Sequence, residues 1–80
     1  MRVPSDISGE ELAKALSCYG YQITRQAGSH LRLTTTKEGK HHITIPKHTP
    51  LKIGTLNAII LDVAEHLCLS KNEVYKNIFL

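Results

Sequence analysis

Several features that would assign a small protein to a membrane, secreted or metal-binding class are missing from this 80-residue sequence. No stretch approaches the roughly 18 consecutive apolar residues of a membrane span, and residues 1–6 lack the apolar core of a signal peptide. Cys18 and Cys68 form no C-x-x-C pair, so nothing indicates a thiolate metal site. We therefore expect a cytoplasmic protein without membrane contact, whose two cysteines are reduced and buried on helix faces.

The chain is also too short for a separate cofactor-binding module, and we expect one domain spanning residues 1–80 and no cofactor. Acidic residues are scarce in its centre. From Arg25 to Lys52, Glu38 stands alone against six basic residues, a net charge of +5, whereas the flanks hold four basic and six acidic residues. The six are Arg25, Arg32, Lys37, Lys40, Lys47 and Lys52.

Four of the five histidines lie in the same central region, between Ser29 and His48. Imidazole moves protons near neutral pH, and cations hold a phosphate backbone, so the combination suggests chemistry on a phosphodiester. The alternative is a set of surface charges that only keeps a small domain soluble.

Helix signals stand at both ends of the chain. Two S-x-x-E motifs, at residues 8–11 and 70–73, have the form of a capping box. Apolar residues at spacings of three and four follow the first box, and a similar stripe runs from Leu56 to Leu67. The predicted helices are 9–19, a long one beginning at Gly54 or Thr55, and a short terminal one whose apolar side is Val74, Ile78 and Phe79.

Between the first two helices the pattern changes to a period of two, in three runs separated by turn-like segments at 27–29 and 37–40. This predicts an antiparallel three-stranded meander in an α+β chain of order α-β-β-β-α, with an extra C-terminal helix. Alternation assigns one buried face: Tyr21, Ile23, Leu31, Leu33, Ile43 and Ile45. The open polar face is then Gln22, Thr24, Gln26, His30, Arg32, Thr34, His42 and Thr44.

A set of short motifs occurs in a characteristic order along the chain. It comprises Ser8-Gly9-x-Glu11-Leu12, Arg25-Gln26-x-Gly28-Ser29-His30, Ile45-Pro46-x-His48, Gly54-Thr55-Leu56-x-x-Ile59 and Leu69-Ser70-x-x-Glu73. The ordered set spans nearly the whole chain and resembles the HicA, or YcfA-like, family of toxins. The resemblance implies a fold like the double-stranded RNA-binding domain, an endoribonuclease that cleaves mRNA, and neutralisation by a HicB-type antitoxin in a type II toxin-antitoxin system. It assigns the catalytic role to His30.

The residues are compatible with that activity, because RNA carries its own nucleophile in the 2′-hydroxyl and needs a proton carrier and cations. His30 is the candidate proton carrier, and Arg32 on the same strand face is the candidate phosphate ligand. The remaining candidate RNA-binding residues are Arg25, Ser29, Lys47, His48 and Lys52. Because carboxylates are lacking there, we predict a metal-independent reaction; the weaker alternative is zinc held by His30, His42 and His48.

Two other functions fit the same residues. The chain could be a non-catalytic RNA-binding module on the same scaffold, or an inactive relative kept for protein contacts. Gly28 and Ser29 could serve only the turn between two strands.

Overall fold

A computed structural model describes residues 6–79. Its elements are α1 (Gly9–Ala15), a 3-10 turn (Leu16–Tyr19), β1 (Gln22–Ala27), β2 (His30–Thr35), β3 (His41–Pro46), α2 (Ile53–Leu67) and α3 (Lys71–Phe79). The three strands form one antiparallel sheet in the order β1-β2-β3. The predicted α+β order, with three antiparallel strands and an extra C-terminal helix, is confirmed.

The predicted capping boxes close the N-termini of two helices. The Ser8 hydroxyl accepts a hydrogen bond from the Glu11 amide at 3.0 Å, and the Glu11 carboxylate accepts one from the Ser8 amide at 2.9 Å. Ser70 and Glu73 make the same pair of bonds before α3. The helix predicted over 9–19 tightens to 3-10 geometry in its last turn, and it ends at Gly20 with φ +81°.

Two helices cover one face of the sheet. α1 packs on β2 and β3, and α2 packs on β3. The core between these layers contains Leu12, Leu16, Leu31, Leu33, Ile43, Ile45, Leu56, Ile60 and Val63, all at most 5% exposed. Because no helix in the range 6–79 packs extensively on β1, all six residues of that strand are exposed. The prediction that Ile23 is buried is therefore wrong, since its side chain is 53% exposed.

A β-bulge interrupts the pairing of β1 with β2. Ile23 faces Leu33, but the next pair is Arg25 with Arg32, so Thr24 is an extra residue in β1. A bulge reverses the alternation of side chains beyond it. Arg25 consequently shares the open face with Arg32, and Gln26 moves to the other face, opposite Leu31. The prediction that Gln26 lies on the open face is wrong for this reason.

Both cysteines are free and exposed, which contradicts their predicted burial. Cys18 lies in the 3-10 turn, where the α-helical spacing that placed it on the apolar stripe no longer holds. Cys68 follows the last residue of α2 and adopts φ +56°, so it turns away from the stripe that ends at Leu67. In residues 6–79, no single helix has the length and apolarity to cross a membrane. α2 and α3 would reach that length and apolarity only if taken together, and they meet at a bend of 107°.

Gly9 sets the distance between α1 and the end of β3. Its amide donates to the carbonyl oxygen of His48 at 3.1 Å. A Cβ at this position would lie 1.9 Å from the carbonyl oxygen of Pro46, far inside contact distance. The first turn of α1 therefore rests directly on the backbone that leaves the sheet.

Replacing Gly9 by alanine should destabilise the fold by about 1–3 kcal/mol, because the helix must move away from rigid backbone rather than from a flexible side chain. Urea unfolding of the Gly9→Ala protein measures this. Gly54→Ala is the matched control, since Gly54 also lies in a first helical turn and its Cβ would meet no atom within 4 Å. Equal unfolding midpoints for Gly9→Ala and the unaltered protein would contradict the close-packing argument.

Candidate functional site

A two-residue loop, Gly28-Ser29, joins β1 to β2 and places His30 at the first position of β2. Gly28 has φ +58°, a conformation that glycine adopts without the steric cost borne by other residues. His30 lies between Ala27 on β1 and Pro46 on β3. The loop thus presents the imidazole at one end of the open face.

His30 lines a pocket of about 180 Å³ on that face. The other lining residues are Arg25, Ala27, Arg32 and Thr44. The His30 side chain is exposed, and no side-chain hydrogen bond joins it to another residue in the range 6–79. Its ring nitrogens are therefore available to a ligand.

Two guanidinium groups flank the same pocket. Arg25 and Arg32 are direct neighbours across the β1–β2 pair, and like charges in that arrangement repel each other. Among the described residues, the one contact between a basic side chain and a carboxylate joins His41 to Asp62, so neither arginine is paired with a carboxylate. Bound phosphate oxygens would relieve the repulsion and accept bidentate hydrogen bonds.

Of the candidate residues that follow β2 in the chain, Lys47 lies near this pocket and Lys52 does not line it. The Lys47 amide donates to the carbonyl oxygen of Ser29 at 2.7 Å, which extends the ladder of β2 and β3 and places Lys47 beside the loop. His48 follows in an exposed segment whose backbone binds Gly9. Lys52 lies at the N-cap of α2 and does not line the pocket.

His41 and His66 lie on the opposite side of the sheet from His30 and connect α2 to it. The His41 ring contacts the Tyr21 hydroxyl at 2.7 Å through Nδ1 and Asp62 at 3.2 Å through Nε2. It also stacks on His66 with a centroid distance of 4.3 Å. Burial, and then the charge of Asp62, raise the pKa of Tyr21 to about 12, so its hydroxyl stays protonated and can donate to His41.

The His66 Nε2–H donates to the carbonyl oxygens of Lys37 and Gly39, at 2.9 and 3.0 Å. These contacts hold the β2–β3 turn against α2. His41 and His66 therefore bind the elements of the fold together, and both are separated by the sheet from the exposed pocket.

His42 faces the other way from His41, as expected for adjacent strand residues. Its Nδ1 lies 2.8 Å from the Thr34 hydroxyl, which lies 2.9 Å from the Thr24 hydroxyl. Desolvation, followed by the positive charges of Arg32 and Lys40, lowers the pKa of His42 below its ordinary value. Both causes favour the neutral form of the imidazole.

The predicted alternative zinc site is not formed. In the range 6–79, no three His, Cys, Asp or Glu side chains lie close enough together to hold a metal ion. Lys40 and His42 were not among the predicted RNA-binding residues, although both line a second depression on the open face beside Arg32. The alternation of polar residues indicated the face of His42, but nothing in the pattern indicated that Lys40, in a turn, would reach it.

Among known proteins, one family matches this chain. Residues 9–65 match the family model described as the HicA toxin of bacterial toxin-antitoxin. Neither a curated protein nor a solved structure matches the chain significantly.

The electrostatic coupling on the open face can be measured directly. Replacing Arg32 by glutamine removes a positive charge beside His42, so the pKa of His42 should rise toward its ordinary value. An NMR pH titration of the imidazole signals measures the change. Lys47→Gln is the control, because Lys47 is not among the groups that affect His42, and an unchanged pKa in Arg32→Gln would contradict the coupling.

Proposed function

The chain belongs to the HicA family of bacterial toxin-antitoxin toxins, and from this premise we propose that it is an endoribonuclease that cleaves mRNA with His30 as its proton-transfer residue. Membership of the family implies an RNA substrate and a cognate antitoxin partner. The observation that carries the proposal is the exposed, unbonded imidazole of His30 in a pocket shared with Arg25 and Arg32.

The chemistry follows from what RNA supplies. The 2′-hydroxyl oxygen attacks the adjacent phosphorus as its proton is removed, and the bond from phosphorus to the 5′-oxygen breaks as that oxygen gains a proton. The products are a 2′,3′-cyclic phosphate and a 5′-hydroxyl. His30 carries one of these protons, and water or a second group carries the other. Arg25 and Arg32 stabilise the negative charge that builds on the phosphorane oxygens.

A metal-independent reaction is supported by where the carboxylates lie. Glu38 is the sole acidic residue between Arg25 and Lys52, and it lies in the turn between β2 and β3. That turn follows the last residue of β2, whereas His30 is the first. Magnesium sites in nucleases use carboxylate ligands, and none of the residues that line the His30 pocket carries a carboxylate.

A non-catalytic RNA-binding module is the second candidate. The cationic open face favours RNA binding in either case, but binding alone gives no role to an imidazole that is free of internal hydrogen bonds. An inactive relative kept for protein contacts is distinguished from both by the absence of cleavage.

Replacing His30 by alanine or glutamine should abolish cleavage of labelled single-stranded RNA in the presence of EDTA, a loss of at least about a hundredfold. RNA affinity should change little, since the arginines remain. Lys71→Gln, an exposed residue at the start of α3, is the control for handling and purity.

The same assay distinguishes the competing functions. Cleavage by the His30 variants at the rate of the unaltered protein would disprove the catalytic assignment. Binding without cleavage by the unaltered protein would support the binding module, and neither binding nor cleavage would support the inactive relative.

The cognate antitoxin should be of the HicB type and should cover His30 together with the basic pocket, because this surface holds unpaired positive charge. Co-expression with the neighbouring open reading frame should yield a stable complex in which His30 is inaccessible to diethyl pyrocarbonate. His48, which is also exposed and lies outside the pocket, is the internal control. Purification of the free chain with no bound partner would contradict the prediction.

A further inference from the structure

A second depression lies beside the His30 pocket on the open face. We call it the threonine–histidine groove; its lining residues are Thr24, Arg25, Arg32, Thr34, Lys40 and His42. Arg25 and Arg32 line both the groove and the His30 pocket. The two sites are therefore continuous, and an extended ligand held by the arginines reaches both.

The hydrogen bonds in this groove have a direction. The Thr24 hydroxyl donates to the carbonyl oxygen of Arg32 at 3.4 Å, and a carbonyl oxygen can only accept. A hydroxyl has one proton, so when Thr24 donates to that carbonyl it accepts from Thr34, and Thr34 in turn accepts from Nδ1–H of His42. In neutral His42 this leaves Nε2 without a proton, as a hydrogen-bond acceptor at the exposed end of the series.

The spacing suits a nucleotide near the cleaved bond. His42 is paired with Thr34, which lies four residues beyond His30 on β2. Four strand residues span about 13 Å. A single RNA strand crosses that distance in a few nucleotides, and Arg25 and Arg32 lie between the two histidines to hold the intervening phosphates.

We propose that the threonine–histidine groove binds a second nucleotide of the RNA, whose ribose 2′-hydroxyl donates a hydrogen bond to Nε2 of His42 while Lys40 contacts its phosphate. The proposal rests on RNA being the substrate, as inferred above. A 2′-hydroxyl is the group that distinguishes RNA from DNA. The groove therefore selects RNA by a contact separate from the nucleophile at the cleaved bond.

Binding in a His30→Ala background tests this without cleavage of the probe. The probe is a fluorescent single-stranded RNA, compared with versions that carry a 2′-deoxyribose at one position at a time. One position near the cleavage site should lose about five- to tenfold in affinity. That loss should disappear when His42 is also replaced by phenylalanine, which keeps a flat ring without nitrogen atoms.

The double variant His30→Ala, His42→Gln is the matched control, because the glutamine carbonyl can accept a hydrogen bond and should retain part of the discrimination. If the substitution His42→Phe leaves the series of 2′-deoxy measurements unchanged at every position, the groove proposal is overturned. Circular dichroism of each variant verifies that the sheet is intact.

A separate measurement addresses the direction of the hydrogen bonds. The ¹⁵N shifts of His42 at neutral pH should identify the tautomer protonated on Nδ1, and Thr34→Val should release that preference. Protonation on Nε2 in the unaltered protein would overturn the proposed acceptor. If the unaltered protein cleaves RNA but no 2′-deoxy effect depends on His42, the groove proposal is refuted and the proposed function stands. If the protein does not bind RNA, both proposals are refuted.

Discussion

One-sided packing of the sheet is the constraint on which the rest of this structure depends. α1 and α2 both lie on the same face and over β2 and β3, with the first turn of α1 resting on the carbonyl oxygen of Pro46. The apolar residues of the two strands are buried by that contact, and hydrophobic burial supplies most of the stability of a domain of this size. The opposite face is left to solvent, so most of its polar side chains stay hydrated and remain free to bind a ligand.

The bulge in β1 decides what that open face can bind. Without Thr24 as an extra residue, Arg25 would point to the helical side of the sheet; with it, Arg25 faces Arg32 beside His30. Two guanidinium groups so close are unfavourable until an anion lies between them. In the proposed function, this cost in the free protein would become affinity for a bound phosphate, and an antitoxin with acidic groups would exploit the same surplus of positive charge.

Four of the histidines divide according to the side of the sheet they occupy. His41 and His66 stack against each other and bond to Asp62 and to the β2–β3 turn, where they stabilise the packing of α2. On the open face, His42 is oriented by Thr34, and His30 is exposed beside the arginines. In the sequence, the histidines suggested proton transfer. In the structure, His41 and His66 support the packing of α2, whereas His30 and His42 each present a free ring nitrogen on the open face.

Features that arise within a few residues could be predicted from the chain alone: the capping boxes at Ser8 and Ser70, the three strands, the odd-numbered buried residues of β2 and β3, and the motif order that identifies the family. Folding in three dimensions was needed to establish that Ile23 is exposed, that Arg25 joins Arg32, that Lys40 reaches His42, and that both cysteines lie outside the core. The difference lies in the range of the interactions. Caps and alternation depend on neighbours along the chain, whereas strand register and helix coverage depend on which distant segments pack together.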